Sequence, residues 1–203
     1  TTGTGFDAIN LSKCGYKVTA TDLSESMLNV ARDNAKYYAQ NINFYLSDWA
    51  ELPTKLHSRR YEAIICLGNS FACELDSKKR KEAIVNFYKL LSPGGILIID
   101  HRNYDALLNA VVGADSYLYH GKGVAIHMKL MTRVMTTFSY VLNNGESYDL
   151  SMVPIFFHDM LSILDQVSFK SHDIYCDLKK VDNLTGIDES NTAVLTHVCV
   201  KDV

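Results

Sequence analysis

Strand-like and helix-like segments alternate through the first hundred residues, and this alternation is the strongest constraint on the fold. Strand patterns at 17–21, 41–46, 61–67 and 96–100 are separated by segments with apolar residues at helical spacing. Strands separated by helices pair in parallel, because a parallel neighbour needs a crossover connection. The sequence therefore predicts an α/β fold with a mostly parallel, doubly wound sheet.

The pattern changes after residue 105. Apolar runs at 138–142 and 148–153 flank Asn144-Gly145, a dipeptide typical of a tight hairpin turn. We interpret residues 106–150 as a small antiparallel insertion that caps the core. The remaining predicted elements are a helix at 157–167, strands at 172–178 and 192–201, and a polar surface loop at 179–191.

The chain has 203 residues, a length that predicts one domain, residues 1–203, with a real core. It begins within a glycine-rich turn, Gly3-Thr4-Gly5, with no strand pattern before it. Such a turn normally follows the first strand of a parallel sheet. We therefore expect that first strand to lie upstream, in a part of the natural protein that this chain does not include.

Charge and composition argue against several kinds of binding partner, namely nucleic acid, membranes and metal ions. The net charge is −3 and the pI is about 6.1, without a run of Lys or Arg, which argues against a nucleic-acid partner. No apolar stretch reaches membrane-spanning length. The five cysteines are scattered without a C-x-x-C pair, so neither a disulfide framework nor a metal site is indicated. We expect a cytoplasmic protein with reduced cysteines that acts on a small molecule. For its assembly, a homo-oligomer is one of the alternatives.

The glycine-rich turn and the acid that follows it predict a nucleotide site. Gly3 and Gly5 let the backbone turn tightly and approach a ligand closely. Asp22 ends the next strand pattern, where a carboxylate can accept hydrogen bonds from both ribose hydroxyls of a nucleoside. With Ala8 the turn also fits the G-x-G-x-x-A dinucleotide fingerprint, so a nicotinamide-dependent oxidoreductase stays as an alternative.

Residues at the ends of the next two strand patterns extend this site. Asp48 offers a carboxylate for the amino group of adenine, and Trp49 offers an indole to cover the ring. Gly68 permits close backbone approach, and Asn69 carries both a donor and an acceptor. The alternatives are a solvated turn acid beside a core tryptophan, and a turn that Asn69 initiates.

Arg102 follows the strand pattern at 96–100, and its planar guanidinium suits bidentate capture of a carboxylate. The alternative is a surface arginine paired with Asp100 or Asp105. We expect His101 to be packed rather than catalytic, and Tyr104 either to line the pocket or to fill the core. No residue stands out as a general base.

Several of these blocks together resemble one enzyme family, the glycine N-methyltransferases and glycine/sarcosine N-methyltransferases. The blocks are 1–7, Asp22, Asp48-Trp49, 65–71 and 100–105. The resemblance implies a Rossmann-like class I S-adenosylmethionine-dependent methyltransferase. It implies S-adenosylmethionine contacts at Thr1, Asp22, Leu23, Asp48, Trp49, Leu67 and Asn69, to which the residue-based prediction adds Gly3, Gly5 and Gly68.

The resemblance also implies the reaction and the substrate contacts. Arg102, with Asn69 nearby, would hold the carboxylate of an amino acid, and these two residues are the predicted catalytic pair. Tyr104 completes the predicted substrate contacts, and no metal is expected. The family's reaction converts glycine to sarcosine and, in some members, onward to dimethylglycine. The alternatives are another small amine as acceptor, or a regulatory protein that binds S-adenosylmethionine without catalysis.

Overall fold

The computed structural model describes residues 1–57, 59–110, 117–121, 123–181 and 193–203. The chain forms two compact units, residues 1–60 and residues 61–203. Within the described ranges, no helix has the length and apolar character needed to cross a membrane. The assignment of residues 1–203 to a single domain stays a prediction.

The first unit combines a pair of parallel strands with three helices. Thr19 lies opposite Asn43 and Asp22 lies opposite Leu46, so both strands end at the same edge. The elements are α1 (Phe6–Lys13), β1 (Thr19–Asp22), α2 (Glu25–Tyr37), β2 (Asn43–Leu46) and α3 (Leu52–Lys55). The sequence patterns predict β1, β2 and the helix between them, whereas α3 is too short to show a helical period.

Two local features explain how α1 and α2 are placed. Ser24 caps α2 by accepting a hydrogen bond from the Met27 N–H at 3.3 Å. Gly5 precedes α1 with a φ of +84°, and a Cβ built on it would lie 2.9 Å from the Cβ of Ala31 on α2. Glycine is therefore required here, because it allows both the left-handed backbone and the close approach of the two helices.

The second unit contains a five-stranded mixed sheet and a four-stranded antiparallel sheet. The strand orders are β10-β9-β11-β4-β3 and β5-β6-β7-β8. The elements are β3 (Tyr61–Cys66), a 3-10 helix (Ser70–Cys73), α4 (Ser77–Leu90), β4 (Leu91–Arg102), α5 (Tyr104–Ala110), β5 (Tyr117–Gly121), β6 (Val124–Met131), β7 (Thr136–Leu142), β8 (Ser147–Met152), α6 (Phe157–Leu164), β9 (Phe169–Cys176), β10 (Lys179–Lys180) and β11 (Val194–Lys201).

Strand direction in the five-stranded sheet is mixed. β3 and β4 run parallel, as do β1 and β2 in the first unit, which matches the predicted pairing of strands separated by helices. β11 instead lies between β4 and β9 and is antiparallel to both. Apolar periodicity within a strand carries no information on its direction, so the sequence alone does not reveal this antiparallel half.

β4 begins earlier than predicted. Tyr61 pairs with Leu91, and Ala63 pairs with Ile96, so residues 92–95 form a bulge opposite a single residue of β3. The Ser-Pro-Gly-Gly segment does bend the chain, as its composition indicates, but the strand continues on both sides of it.

The antiparallel sheet contains the predicted hairpin between β7 and β8. The Leu142 N–H donates to the Glu146 carbonyl at 2.8 Å, and Gly145 has a φ of +87°. The strands of this sheet span residues 117–152, and α5 begins before them at Tyr104. In the predicted loop 179–191, residues 179–180 form β10, and residues 182–191 lie outside the described residues.

Candidate functional site

In the first unit, Asp22 organises the glycine-rich turn. Its Oδ2 accepts a hydrogen bond from the Gly3 N–H at 2.8 Å, and its Oδ1 accepts one from the Ser24 N–H at 3.0 Å. Each carboxylate oxygen has more than one acceptor position, so Asp22 is held in place with acceptor capacity left over. A Cβ built on Gly3 would meet no atom within 4 Å, so the turn borders open space.

The other predicted cofactor residues of this unit lie at the same edge of the β1–β2 pair. Leu23 exposes 70% of its surface, and Asp48 and Trp49 follow β2 in half-buried positions. Asp48 Oδ1 accepts from the Ala50 N–H at 3.2 Å, so this acid also shapes its own turn. Thr1 lies beside β1, where its backbone nitrogen donates to the Thr21 carbonyl at 2.8 Å.

In the second unit, the carboxylate of Asp100 on β4 binds two N–H groups of the loop that follows β3. Its Oδ2 accepts from the Gly68 N–H at 3.0 Å, and its Oδ1 accepts from the Asn69 N–H at 2.7 Å. Hydrogen bonds to an ionised carboxylate are stronger than neutral ones. Sequence reasoning considered Asp100 only as an ion partner for Arg102. Its place next to Gly68-Asn69 becomes apparent only once β3 and β4 are known to pair.

The side chain of Asn69 links the same loop to the end of β4. Its Oδ1 accepts from the Arg102 N–H at 3.0 Å, and its Nδ2 donates to the Tyr104 hydroxyl at 2.8 Å. Nδ2 also lies 3.2 Å from Sδ of Met152 on β8. We call the set Asn69, Asp100, Arg102 and Tyr104 the Asn69 clasp.

The backbone of Asn69 is left-handed, with a φ of +60°. Asn tolerates this conformation better than most residues, so the turn that sequence analysis gave as the alternative is present at this position. The amide group, which sequence reasoning assigned to a ligand, is bonded within the protein on both its oxygen and its nitrogen. Its direct contact with cofactor or substrate stays a prediction.

The guanidinium of Arg102 is not neutralised by either of the two acids that sequence reasoning considered. Asp100 binds the loop amides, and Asp105 Oδ2 accepts from the Phe157 N–H at 2.9 Å. Arg102 instead lies over the ring of Phe138, with its central carbon 5.2 Å from the ring centroid. Across the residues that the structure describes, no ion pair joins Arg102 to a carboxylate. The group therefore remains able to bind an anion.

Tyr104 is fully buried. Burial raises the pKa of its hydroxyl to about 12, although the hydrogen bond from Asn69 acts in the opposite direction. Tyr104 is therefore a protonated hydrogen-bonding group at neutral pH.

His101 is also fully buried, and its ring stacks on that of His197, which confirms that its side chain is packed in the core. In the described part of the chain, no group of three or more potential ligand side chains could hold a metal ion.

Comparison with known proteins identifies the family. Residues 1–95 match the family described as "Methyltransferase domain". The glycine/sarcosine N-methyltransferase of Halorhodospira halochloris is 36% identical over 179 residues, which cover 88% of this chain and 66% of that protein. The enzyme of the same name from Parasynechococcus marenigrum is 32% identical over 99% of this chain and 70% of its own length. The chain belongs to the glycine/sarcosine N-methyltransferase family.

The chain thus spans roughly two thirds of these curated relatives, 66% of one and 70% of the other. An S-adenosylmethionine-dependent methyltransferase from Clostridium acetobutylicum has the same fold, with a TM-score of 0.77 at 20% identity. That alignment covers 100% of this chain and 82% of the other. The predicted class I methyltransferase fold is confirmed, and membership of this family decides against the nicotinamide-dependent oxidoreductase.

Replacing Asp100 by Asn should loosen the loop after β3. An amide presents only one oxygen, so one of the two main-chain N–H groups loses its acceptor, at a cost of about 1.5 kcal/mol. Amide hydrogen exchange at Gly68 and Asn69 should then be roughly tenfold faster.

Asp105→Asn is the matched control, because Asp105 binds the backbone of Phe157 and not this loop. The control should leave exchange at Gly68 and Asn69 unchanged. If Asp100→Asn also left their exchange rates unchanged, Asp100 would not be what holds the loop.

Proposed function

We propose that this protein transfers the methyl group of S-adenosylmethionine to the amine of glycine or sarcosine. The observation that carries the proposal is the guanidinium of Arg102 at the end of β4, which has no carboxylate partner among the described residues. Asn69 holds the backbone N–H of the same residue. A small amino acid supplies the missing carboxylate. The two relatives described above are glycine/sarcosine N-methyltransferases, which supports the same acceptor.

The first unit fits the nucleoside of S-adenosylmethionine. Asp22 is fixed by two main-chain N–H groups and keeps acceptor positions for ribose hydroxyls. Gly3 leaves open space where a side chain would otherwise stand, and Leu23 presents an exposed apolar surface beside Asp22. When bound, S-adenosylmethionine supplies an electrophilic methyl group on a positively charged sulfur.

The contribution of the protein to the chemistry is placement. Arg102 would bind both oxygens of the acceptor carboxylate, and this pairing fixes the direction in which the amine points. The amine must be neutral to act as a nucleophile. Tyr104, whose pKa is raised to about 12, keeps its proton and can orient groups but cannot serve as a base at neutral pH. The acceptor would therefore bind with its amine already deprotonated by solvent.

Location and assembly stay sequence-based predictions. The absence of a cysteine framework favours a reducing compartment, and we propose a cytoplasmic enzyme on that ground. A homo-oligomer remains one alternative. The acceptor class, a small amino acid, is the only partner that the proposal requires.

Replacing Asp22 by Ala should weaken cofactor binding, because the ribose hydroxyls lose a charged acceptor. A hydrogen bond to a charged group contributes about 1.5–3 kcal/mol, which corresponds to roughly one to two decades in affinity. Calorimetric titration with S-adenosylhomocysteine measures the change. Asp7→Ala is the control, since Asp7 is an exposed acid on α1 of the same unit. Equal affinities for the Asp22 variant and the control would refute the assignment.

Replacing Arg102 by Lys tests the acceptor site. An ammonium group cannot reproduce the planar two-point contact, so the KM for glycine should rise more than tenfold, equivalent to about 1.4 kcal/mol. Cofactor affinity should stay within a few-fold. Steady-state kinetics with glycine and sarcosine measure both quantities.

Arg133→Lys is the matched control, because Arg133 also lies over an aromatic ring, 5.1 Å from the centroid of Phe156, and its side chain is exposed. It should leave the KM unchanged. A wild-type KM in the Arg102 variant would mean that Arg102 is structural and that the acceptor is bound elsewhere.

A further inference from the structure

Three histidines form a line of hydrogen bonds across the three central strands of the five-stranded sheet. His101 lies on β4, His197 on β11 and His172 on β9. His101 Nε2 is 3.0 Å from His197 Nε2, and His197 Nδ1 is 2.8 Å from His172 Nε2. At the other end, His101 Nδ1 is 2.8 Å from the carbonyl oxygen of Arg102. The line therefore ends on the backbone of the residue that carries the proposed acceptor contact.

The carbonyl end fixes the direction of every bond in this line. A carbonyl oxygen only accepts, so His101 must carry its proton on Nδ1. A neutral His101 then accepts at Nε2, which requires His197 to donate from its own Nε2. His197 in turn accepts at Nδ1, so His172 must donate from Nε2. In the neutral form all three bonds run one way, from His172 to the Arg102 carbonyl.

Burial keeps the inner two rings neutral. His101 and His197 are both fully buried. Burial lowers the pKa of His101 to about 4 and lowers that of His197 well below its usual value. His172 is half-buried, and its pKa is lowered by burial against the opposing charges of Asp165 and Asp173. Near neutral pH the unprotonated arrangement is therefore the one that the fold stabilises.

The outermost ring can accept a proton without breaking the line. Protonation of His172 at Nδ1 leaves its Nε2–H donor in place, so the bond to His197 is kept. A second proton on His197 or His101 would remove an acceptor and break a bond. Protonation of the half-buried His172 therefore leaves the hydrogen bonds between His172 and the Arg102 carbonyl in place.

Packing holds the central ring in a fixed orientation. The ring of His197 stacks on that of His101, with centroids 5.1 Å apart and an interplanar angle of 18°. Its ring also lies nearly parallel to that of Phe157 on α6, with centroids 6.3 Å apart. Asn69 holds the Arg102 N–H at 3.0 Å, and His101 holds the Arg102 carbonyl. Both main-chain polar groups of Arg102 are thus bonded to side chains.

We propose that His172, His197 and His101 form a one-way histidine relay that positions Arg102 for the acceptor carboxylate. The three histidines are positioning residues, since they act through the Arg102 backbone and not on the substrate. The inference rests on the proposed function, because it assumes that Arg102 binds the acceptor. Its structural part, the direction of the hydrogen bonds, stands independently of any activity.

Nitrogen NMR of protein with isotope-labelled histidine tests the direction of the relay without any variant. We expect His101 protonated on Nδ1, and His197 and His172 protonated on Nε2, near neutral pH. A His101 protonated on Nε2, or a His197 protonated on Nδ1, would overturn the relay.

Kinetics of His197→Phe test the positioning role. Phe keeps a stacked ring but removes both hydrogen bonds, so we expect the KM for glycine to rise about tenfold, with kcat and cofactor affinity within about threefold of the wild type. His158→Phe is the control, because His158 contacts the same Phe157 ring, at 5.3 Å between centroids, but is exposed and outside the relay. The control should have a wild-type KM.

One further variant and the Arg102→Lys variant described above keep the outcomes distinguishable. If His197→Phe does not fold, His172→Phe at the half-buried end replaces it, with an expected KM increase of about threefold. An unchanged KM in the folded relay variant, together with a raised KM in Arg102→Lys, would overturn the relay's positioning role and leave the proposed function intact. An unchanged KM in Arg102→Lys would overturn the proposed function itself.

Discussion

The arrangement around Arg102 depends on the two hydrogen bonds that the side-chain amide of Asn69 makes to Arg102 and Tyr104. The amide lies between the ends of two parallel strands, β3 and β4, and bonds to Arg102 through its oxygen and to Tyr104 through its nitrogen. An amide carries its acceptor and its donor on two different atoms, so Asn69 can accept from Arg102 and donate to Tyr104 at the same time. Because the site is buried, losing either bond would leave a polar group unpaired at a cost of about 1–3 kcal/mol. The clasp therefore specifies one geometry for the loop after β3.

Among the described residues, this geometry leaves one charged side chain, that of Arg102, without a carboxylate partner. The loop amides are bonded to Asp100, and the backbone of Arg102 is bonded to Asn69 and His101. The guanidinium of Arg102 lies over the face of Phe138 and near Tyr104, whose pKa its charge acts to lower. A guanidinium on a backbone that is held at both its N–H and its carbonyl suits a small carboxylate ligand, and orientation is the main resource that a methyl-transfer enzyme needs. The family to which the chain belongs is consistent with this use.

The sequence predicts local features of this fold well and non-local ones poorly. The turn at Gly145 and the placement of Asp22 at a strand end follow from patterns a few residues long. The antiparallel direction of β11 does not, because it depends on which strand β11 pairs with. For the same reason the sequence does not predict the hydrogen bonds of the Asn69 side chain, because its partners lie 33 and 35 residues away in the sequence. Nor does the sequence predict the hydrogen bond between His101 and His197, which are 96 residues apart.

The central claim is that the acceptor is recognised by its carboxylate. A competition experiment tests it most directly, with glycine and ethanolamine at equal concentration and S-adenosylmethionine that carries an isotope-labelled methyl group. Mass spectrometry then shows which amine receives the label. The account predicts labelled sarcosine, with little or no label on ethanolamine, which has an amine of similar size but lacks the carboxylate. Equal labelling of the two amines, or preferential labelling of ethanolamine, would contradict it.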